Sequence, residues 1–349
     1  MRFVPAAELK PGMITTKPIY QRGILILAAN HTLKQDTINA IRRSDLQGLY
    51  IYDEFSDFEQ LNQILDDNLR YQMVSEMRDF NIDQVVYLSN QIVDSVLAMG
   101  DKALVDLNEL MVYDEDTYHH SMDVSLLSTT CGVAMGLNNA ELKNLALAAA
   151  LHDIGKRLIP KRILNKKEEL TEEEREIIRN HPKAGYDLLY NNSSISAFVR
   201  SAILSHHENW DGSGYPKKLK EEAIPRFGMI IHVADVYDAL IRKRPYKDQF
   251  AQSEAIEYLK ENRNVLFDSR VVQAFLENLV VYPVGSTVTL SDGRVARVVQ
   301  NRRAHIMRPV VVTVDYQVYI DLGKDTRYKD ITIVEAEDPG NQVEREVCI

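Results

Sequence analysis

Five histidines and three aspartates in the central part of the chain form an ordered series of candidate metal ligands. Imidazole and carboxylate groups together suit divalent transition metals such as Fe, Mn and Zn. A mixed set that contains several acids favours more than one ion. The series, which predicts metal-dependent chemistry, consists of Asp116, His120, His152, Asp153, His181, His206, His207 and Asp235.

The first pair of the series, Asp116 and His120, is spaced four residues apart. On a helix, such residues lie on one face with their Cβ atoms about 5–6 Å apart, so both side chains can reach one ion. Taken alone, the pair is better explained as the exposed start of a surface helix, because it lies in the acidic run YDEDTYHH.

Two further pairs stand at the ends of apolar helices. His152 and Asp153 follow LKNLALAAAL, and His206 and His207 follow ISAFVRSAILS. Burying these side chains is costly unless they find partners, and metal coordination supplies such partners. Adjacent residues lie about 100° apart around a helix, so a pair can address two neighbouring ions, with Asp153 bridging them. The alternative for His152 is a core histidine held by an ion pair.

Asp235 lies in the otherwise apolar stretch RFGMIIHVADVYDAL, which predicts an interior helix and makes this carboxylate a candidate ligand. Asp238 in the same stretch is expected to support the ligands. His181 precedes a proline at a predicted helix start, where a histidine is usually structural or solvated. The remaining histidines, to which we assign no role, are His31, His119, His232 and His305.

Basic and glycine-rich segments flank the candidate ligands. Lys156 follows Asp153 by three residues, and Arg244 and Lys247 follow the Asp235 helix. Next to metal ions, such cations could bind phosphate oxygens and stabilise the charge of a phosphoryl-transfer transition state; the alternative is a solvated basic loop. In ENWDGSGYP, glycines allow backbone N–H groups to approach a ligand closely, although an ordinary loop would look the same.

The elements that must position these residues predict a multidomain chain. Residues 1–56 mix short strand patterns with turns and predict a small α+β domain, and 57–113 predict a connector of long helices. These helices could pair in a homodimer or pack within the chain. Residues 114–281 predict an all-α domain, with capping boxes at Asn138 and Thr171. The period-two pattern of 282–349 predicts a small β domain.

Bulk properties restrict the partners. The net charge of −10 disfavours binding to nucleic-acid polymers, although local basic clusters can still hold a small phosphorylated ligand. The longest apolar run, Leu145 to Leu151, is far shorter than the ~18 residues needed to cross a bilayer. The start MRFVPAAELK lacks a signal-peptide core, and the two distant cysteines make no disulfide framework. We therefore predict a cytoplasmic protein without membrane partners.

Four motifs in this order and spacing resemble the HD-GYP family of HD phosphohydrolases: LHDIGK, NHPKAGYDLL, SHHENWDGSGYP and ADVYDALIRKRPYK. The resemblance covers roughly residues 105–280, about half of the chain. It implies an all-α domain that hydrolyses cyclic dinucleotides, chiefly cyclic di-GMP, by attack of a metal-activated hydroxide. The implied product is linear pGpG, and a second cut to GMP is left open.

The resemblance also implies a role for each matching residue. Catalysis is assigned to His152, Asp153 and Lys156. The implied metal ligands, for two or three Fe or Mn ions, are His120, His152, Asp153, His181, His206, His207 and Asp235. The implied substrate contacts are Lys156, Gly214, Tyr215, Pro216, Asp238, Arg244 and Lys247.

One departure from the family pattern concerns the number of ions. Asp116 stands where members with a three-metal site carry Glu, and Asp is one methylene shorter, so both two and three ions stay open. Two alternative functions also stay open: a cyclic-dinucleotide receptor with little turnover, and a phosphohydrolase for another nucleotide such as cyclic GMP-AMP.

Overall fold

The computed structural model divides the chain into two compact units. One, here called the strand unit, comprises residues 1–68, 101–114 and 279–349, and the other, the helical unit, comprises 69–100 and 115–278. The residues that the structure describes are 2–16, 18–21, 24–44, 46, 48–53, 56, 64–100, 103–105, 117–166, 168–242, 252–302, 305–315 and 317–337.

The N-terminal part of the strand unit combines short strands with one helix. Strand β1 pairs antiparallel with β4, and β2 pairs antiparallel with β3. The elements are β1 (Arg2–Pro5), β2 (Ile19–Gln21), β3 (Ile24–Leu27), α1 (Gln35–Ile41) and β4 (Gly48–Ile51). Their shared core consists of Val4, Leu9, Leu27, Leu33, Ile38, Ile41, Leu49 and Ile51.

The C-terminal part of the strand unit is a five-stranded antiparallel sheet with the order β8-β7-β6-β5-β9. Its strands are β5 (Thr287–Leu290), β6 (Val295–Gln300), β7 (Val310–Thr313), β8 (Tyr319–Asp321) and β9 (Ile333–Glu337). The period-two run VVVTVDYQVYI forms two strands joined by a turn, in which the N–H of Gln317 donates to the carbonyl of Thr313 at 3.0 Å. The central helices are therefore flanked in sequence by strands on both sides.

The helical unit contains a succession of helices that carry or directly adjoin the described parts of the motif segments. Among the described residues these helices are α2 (Asp67–Asp79), α3 (Ile82–Met99), α4 (Thr117–Ala134), α5 (Asn139–Leu151), α6 (Lys161–Leu164), α7 (Glu172–Arg179), α8 (His181–Leu188), α9 (Ala197–Ser205), α10 (Arg226–Ile241), α11 (Gln252–Glu261) and α12 (Ser269–Leu276). No helix in the described parts of the chain has both the length and the apolar character needed to cross a membrane.

Helix α3 differs from the connector that the sequence predicts for 57–113, because it packs against α4 and α5 as part of the helical unit. Its apolar residues recur at helical spacing, so one whole face enters the core. The buried residues of this face are Ile82, Val85, Leu88, Ser89, Ile92, Val93 and Val96. The structure thus assigns residues 69–100 to the same compact unit as the motifs.

Helix α5 is the central element of the helical unit. It packs against α3, α4 and α9, and every residue from Leu145 to Leu151 is buried. The predicted capping boxes at Asn138 before α5 and at Thr171 before α7 are both present, which confirms them. Each box satisfies backbone N–H groups at a helix start and so fixes where the helix begins. The C-terminal end of α5 then delivers His152 and Asp153 to the interior.

Candidate metal centre

Six segments of the helical unit deliver His and Asp side chains to one region. His120 lies in the first turn of α4, and His152 follows α5 directly. Asp153 precedes the 3₁₀ turn Ile154–Leu158, and His181 is the first residue of α8. The others are His206 and His207 after α9, and Asp235 within α10.

The donor atoms of these seven residues form three overlapping groups. In each group, the ligand atoms lie within 4.8 Å of one another. Two ligand atoms that each lie about 2.0–2.3 Å from one ion are at most roughly 4.6 Å apart, so this spacing is close to the one that a shared ion requires. The groups are His181 with His206 and His207, His120 with His152 and Asp153, and His152 with His206 and Asp235. Because His152 and His206 each belong to two groups, the arrangement suits neighbouring ions.

Seven of the eight predicted ligands are therefore brought together. The eighth, Asp116, lies outside the described residues. Apolar runs that end in donors predict four of the seven, and the apolar stretch around Asp235 predicts a fifth. His120 and His181, which are weak candidates by themselves, are implied by the family resemblance.

The carboxylate of Asp153 faces two sides of the cluster. Its Oδ1 lies 3.1 Å from the Nε2 of His181, whereas its Oδ2 lies 3.5 Å from the Nε2 of His152 and 3.9 Å from that of His120. A carboxylate whose two oxygens face different donor groups can bridge two ions. The bridging role of Asp153 stays a prediction.

Three of the imidazoles are oriented by a backbone carbonyl of the helix that ends just before them. Each donates a hydrogen bond of 2.7 Å from Nδ1 to the carbonyl three residues earlier. A carbonyl can only accept, so Nδ1 carries the proton and the Nε2 lone pair points into the cluster, as in metal-binding histidines. The three pairs are His152 with Ala149, His181 with Ile178, and His206 with Ile203.

The surroundings of the Nε2 atom of His152 indicate whether a metal ion fits the site. It is completely buried and makes no hydrogen bond to any residue that the structure describes. Leaving a buried polar atom without a partner is costly, and a metal ion would satisfy this lone pair. The donor set, five imidazoles with two carboxylates, therefore fits transition metal ions.

The protonation states also suit coordination. Burial lowers the pKa of His207 to about 3, and burial together with His207 lowers that of His206 well below its usual value. Burial alone would raise the pKa of Asp153, but Lys156 and His152 outweigh it and hold that pKa well below the usual value. Neutral imidazoles and ionised carboxylates are the forms that bind metals.

His120 has a different electrostatic environment. Burial alone would lower its pKa, but the carboxylates of Asp235 and Asp238 raise it to about 9. The Nε2 of His120 lies 3.1 Å from Oδ1 of Asp235, and its Nδ1 lies 2.6 Å from Oδ2 of Asp238. Asp238 thus fixes the orientation of this imidazole from behind.

The position of Asp238 corrects one substrate contact that we expect from the family resemblance. Its carboxylate is completely buried, and it binds His120 and Arg242. A side chain enclosed in this way supports a ligand and does not touch a substrate. The expectation from the sequence that Asp238 supports the ligands agrees with its position.

Lys156 is the basic residue nearest to the cluster among those the sequence singles out and the structure describes. Its Nζ lies 2.5 Å from Oδ2 of Asp153, and 27% of its side chain is exposed. The ammonium group therefore stands between a buried candidate ligand and solvent. The other two predicted phosphate contacts, Arg244 and Lys247, lie outside the described residues.

The GYP segment borders the cluster through Tyr215. Its ring stacks on the imidazole of His207, with the centroids 4.8 Å apart and the planes 26° from parallel. A Cβ on Gly214 would lie 2.4 Å from the carbonyl oxygen of His207, so only glycine allows this close approach. Pro216 follows Tyr215 through a cis peptide bond.

Glu208 is a residue of the site that the sequence reasoning missed. It is 1% exposed, and its carboxylate accepts hydrogen bonds from the backbone N–H groups of Lys217 at 2.7 Å and Leu219 at 2.9 Å. These bonds hold the loop that contains the GYP segment. Its sequence signal is an acid directly after two histidines at the end of an apolar helix.

Three comparisons relate the chain to known proteins. The family model described as HD domain matches residues 92–271. The chain is 35% identical to the cyclic di-GMP phosphodiesterase PA4108 of Pseudomonas aeruginosa over 266 aligned residues. The aligned segment covers 72% of this chain and 64% of that protein. It is 42% identical over 173 residues to a cyclic di-GMP phosphodiesterase of Thermotoga maritima, which covers 49% of this chain and 47% of that protein.

The chain thus spans about half to two thirds of the length of these two relatives. Among solved structures, Bd1817, a HDG"Y"P protein from Bdellovibrio bacteriovorus, superimposes with a TM-score of 0.53 at 16% sequence identity. The match covers 78% of this chain and 97% of that one, and at this identity it shows a shared fold alone.

Proposed function

Because the chain belongs to the HD-GYP family of HD domain proteins, we propose that it is a metal-dependent phosphodiesterase that hydrolyses cyclic di-GMP to linear pGpG. The observation that carries the proposal is the set of three overlapping donor groups inside the helical unit. The names of the two relatives described above supply the substrate class.

The proposed cofactors are two divalent Fe or Mn ions, held by His120, His152, Asp153, His181, His206, His207 and Asp235. A donor set of imidazoles and carboxylates suits these metals. A third ion would need a further ligand, for which Asp116 is the candidate. When bound, such ions lower the pKa of a coordinated water and stabilise negative charge on phosphate oxygens.

The chain's own residues would orient the substrate at the edge of this centre. Lys156 keeps its ammonium group beside Asp153 while part of the side chain reaches solvent, so it can donate to a phosphate oxygen there. Tyr215 places its aromatic ring against His207, where it could contact the substrate. Arg244 and Lys247 stay predicted phosphate contacts. The cytoplasmic location stays a prediction, as does a homodimer formed through residues 57–113.

The test is hydrolysis of cyclic di-GMP by protein purified without oxygen and loaded with Mn²⁺, with product formation followed by chromatography. Asp153→Asn removes the bridging carboxylate with almost no change in shape. We expect turnover to fall more than about 100-fold, because even partners behind the ligands account for 10–100-fold in such sites. Metal content is measured on every sample.

The matched control is Asp187→Asn, since Asp187 lies on α8 in an exposed ion pair with Lys183 and should leave turnover unchanged. Loaded wild-type protein that leaves cyclic di-GMP intact would contradict the phosphodiesterase assignment. Tight binding of cyclic di-GMP without product would then favour a receptor, and faster turnover of cyclic GMP-AMP would favour the other substrate.

A further inference from the structure

Four buried charged side chains, here called the charge chain, are linked by hydrogen bonds behind His120. Its members are Arg70 on α2, Asp123 on α4, Asp238 on α10 and Arg242 just after α10. Their exposed fractions are 4%, 2%, 0% and 7%. Two cations and two anions alternate along the chain, so the buried charges compensate one another.

The hydrogen bonds of this charge chain run without interruption to the metal centre. Arg242 donates from Nε to Oδ2 of Asp238 at 2.6 Å, and its terminal nitrogen donates to Asp123. Arg70 donates to the other carboxylate oxygen of Asp123. The same Oδ2 of Asp238 lies 2.6 Å from Nδ1 of His120.

These hydrogen bonds restrict the orientation of the Asp238 carboxylate. The guanidinium of Arg242 is planar and uses two different nitrogens for two carboxylates on two helices, which fixes its orientation. Asp238 is therefore held from one side by Arg242 and presents its oxygen to His120 on the other. Removing either arginine would leave a buried carboxylate short of a counter-charge.

We propose that Arg242 and Arg70 are positioning residues of the metal centre, acting on His120 through Asp238 and Asp123. The expected effect on catalysis rests on the proposed function. The hydrogen bonds among the four charged side chains do not depend on it. Arg70 lies outside residues 92–271, where the HD domain model matches. Helix α2 would thereby contribute to the metal centre although it carries none of the ligands.

The experiment measures Mn²⁺ affinity by electron paramagnetic resonance titration of metal-free protein. Arg242→Met removes the charge and keeps most of the side-chain volume, and we expect its Kd for Mn²⁺ to rise about 10- to 100-fold. Arg70→Met should show a smaller rise, because Arg242 still binds both carboxylates. Arg242→Lys should recover part of the affinity, since it keeps the charge but not the planar fork.

The matched control is Arg297→Met. Arg297 is also 7% exposed, but it lies in the strand unit and donates to Gly285 and Asp53. It should leave Mn²⁺ affinity unchanged, which separates loss of any buried arginine from loss of this charge chain. In steady-state assays with saturating Mn²⁺, Arg242→Met should lower kcat more than it changes KM.

Folding of the helical unit in each variant is checked by the fluorescence of Trp210, the single tryptophan of the chain. A folded Arg242→Met protein with wild-type Mn²⁺ affinity would overturn the proposal. If that variant does not fold, wild-type affinity in both Arg70→Met and Arg242→Lys overturns it. Wild-type protein that binds Mn²⁺ but leaves cyclic di-GMP intact defeats the proposed function alone, because the affinities still decide this inference.

Discussion

Single residues in the centre either supply donor atoms or, as glycines, allow the backbone segments that carry the donors to approach closely. Gly155 lies where the 3₁₀ turn after Asp153 packs against the start of α8. A Cβ at this position would lie 2.0 Å from the carbonyl oxygen of His181 and 2.6 Å from the backbone nitrogen of Gly185. Both contacts are with backbone, which cannot rotate away as a side chain can. The absence of a side chain therefore lets the 3₁₀ turn and α8 hold Asp153 and His181 together.

Gly155→Ala should push the 3₁₀ turn away from α8. We expect a loss of about 1–3 kcal/mol in the free energy of unfolding, as for other overpacked sites, together with weaker Mn²⁺ binding. Urea unfolding followed by Trp210 fluorescence measures the first effect, and Mn²⁺ titration measures the second.

The control for this change is Gly132→Ala within α4. There the added Cβ would meet only the ends of leucine side chains, at 2.7–3.1 Å. Those ends can rotate, and alanine is favoured over glycine in a helix by about 1 kcal/mol, so a small net effect is expected. Equal losses in the two variants would argue against the proposed role of Gly155 at the metal centre.

At the scale of elements, helix ends bring in ligands and one loop covers them. The loop after α9 is anchored by the two backbone hydrogen bonds that Glu208 accepts. Trp210 in the same loop donates its backbone N–H to the carbonyl of Leu266, so a third hydrogen bond holds the segment. The position of Tyr215 over His207 therefore depends on a buried carboxylate that is not itself one of the grouped donors.

Glu208→Gln should loosen this loop. An amide offers one acceptor oxygen where the carboxylate offers two, so one backbone N–H loses its partner, at a cost of about 1–3 kcal/mol. We expect KM for cyclic di-GMP to rise more than kcat falls, because the part of the loop that Glu208 anchors follows His206 and His207 and supplies no grouped donor itself. Steady-state kinetics and urea unfolding measure the two effects.

Glu222→Gln serves as the comparison variant, because the Glu222 side chain is 71% exposed and lies 3.8 Å from Arg270. Exposed ion pairs contribute little, so neither stability nor KM should change by a measurable amount. A Glu208→Gln protein with the same KM as Glu222→Gln would show that the loop does not depend on this anchor for substrate binding.

At the scale of the whole molecule, a bound metal would connect helices that are distant in sequence. The grouped donors come from α4, α5, α8, α9 and α10 and from the 3₁₀ turn after α5. An ion that binds only the folded arrangement stabilises it by mass action. Stability of the helical unit should therefore depend on metal.

Removal of metal with a chelator should lower the unfolding temperature of the helical unit. Mn²⁺ at 100 times its Kd stabilises a folded state by about 2.7 kcal/mol. For a unit of this size each kcal/mol shifts Tm by about 2–4 °C, so a difference of roughly 5–11 °C is expected. Trp210 lies in the helical unit and reports its transition by fluorescence.

Mg²⁺ is the comparison ion, because it favours octahedral oxygen ligands over imidazole and should give a smaller shift. The Asp153→Asn variant should show little difference between Mn²⁺ and chelator. If wild-type protein melts at one temperature with and without Mn²⁺, the cluster does not bind this ion in the folded state.

The sequence by itself determined the composition of the candidate centre. Residue type decides which metals a side chain can bind, and helix-end placement is local, so His152, Asp153, His206 and His207 were identifiable from apolar runs that end in donors. The capping boxes at Asn138 and Thr171 were also predictable, because their hydrogen bonds span three residues. The order of central helices and terminal strands followed from periodicity.

Only the tertiary structure decided which donors share a group. His120 and Asp235 belong to different groups and are far apart in sequence, yet their side chains lie 3.1 Å apart because α4 packs against α10. Packing also decided that Asp238 is enclosed and that α3 belongs to the helical unit. The link from Arg70 to the metal centre has the same origin. Burial and long-range ion pairs depend on how whole helices pack, and no local spacing in the sequence encodes that.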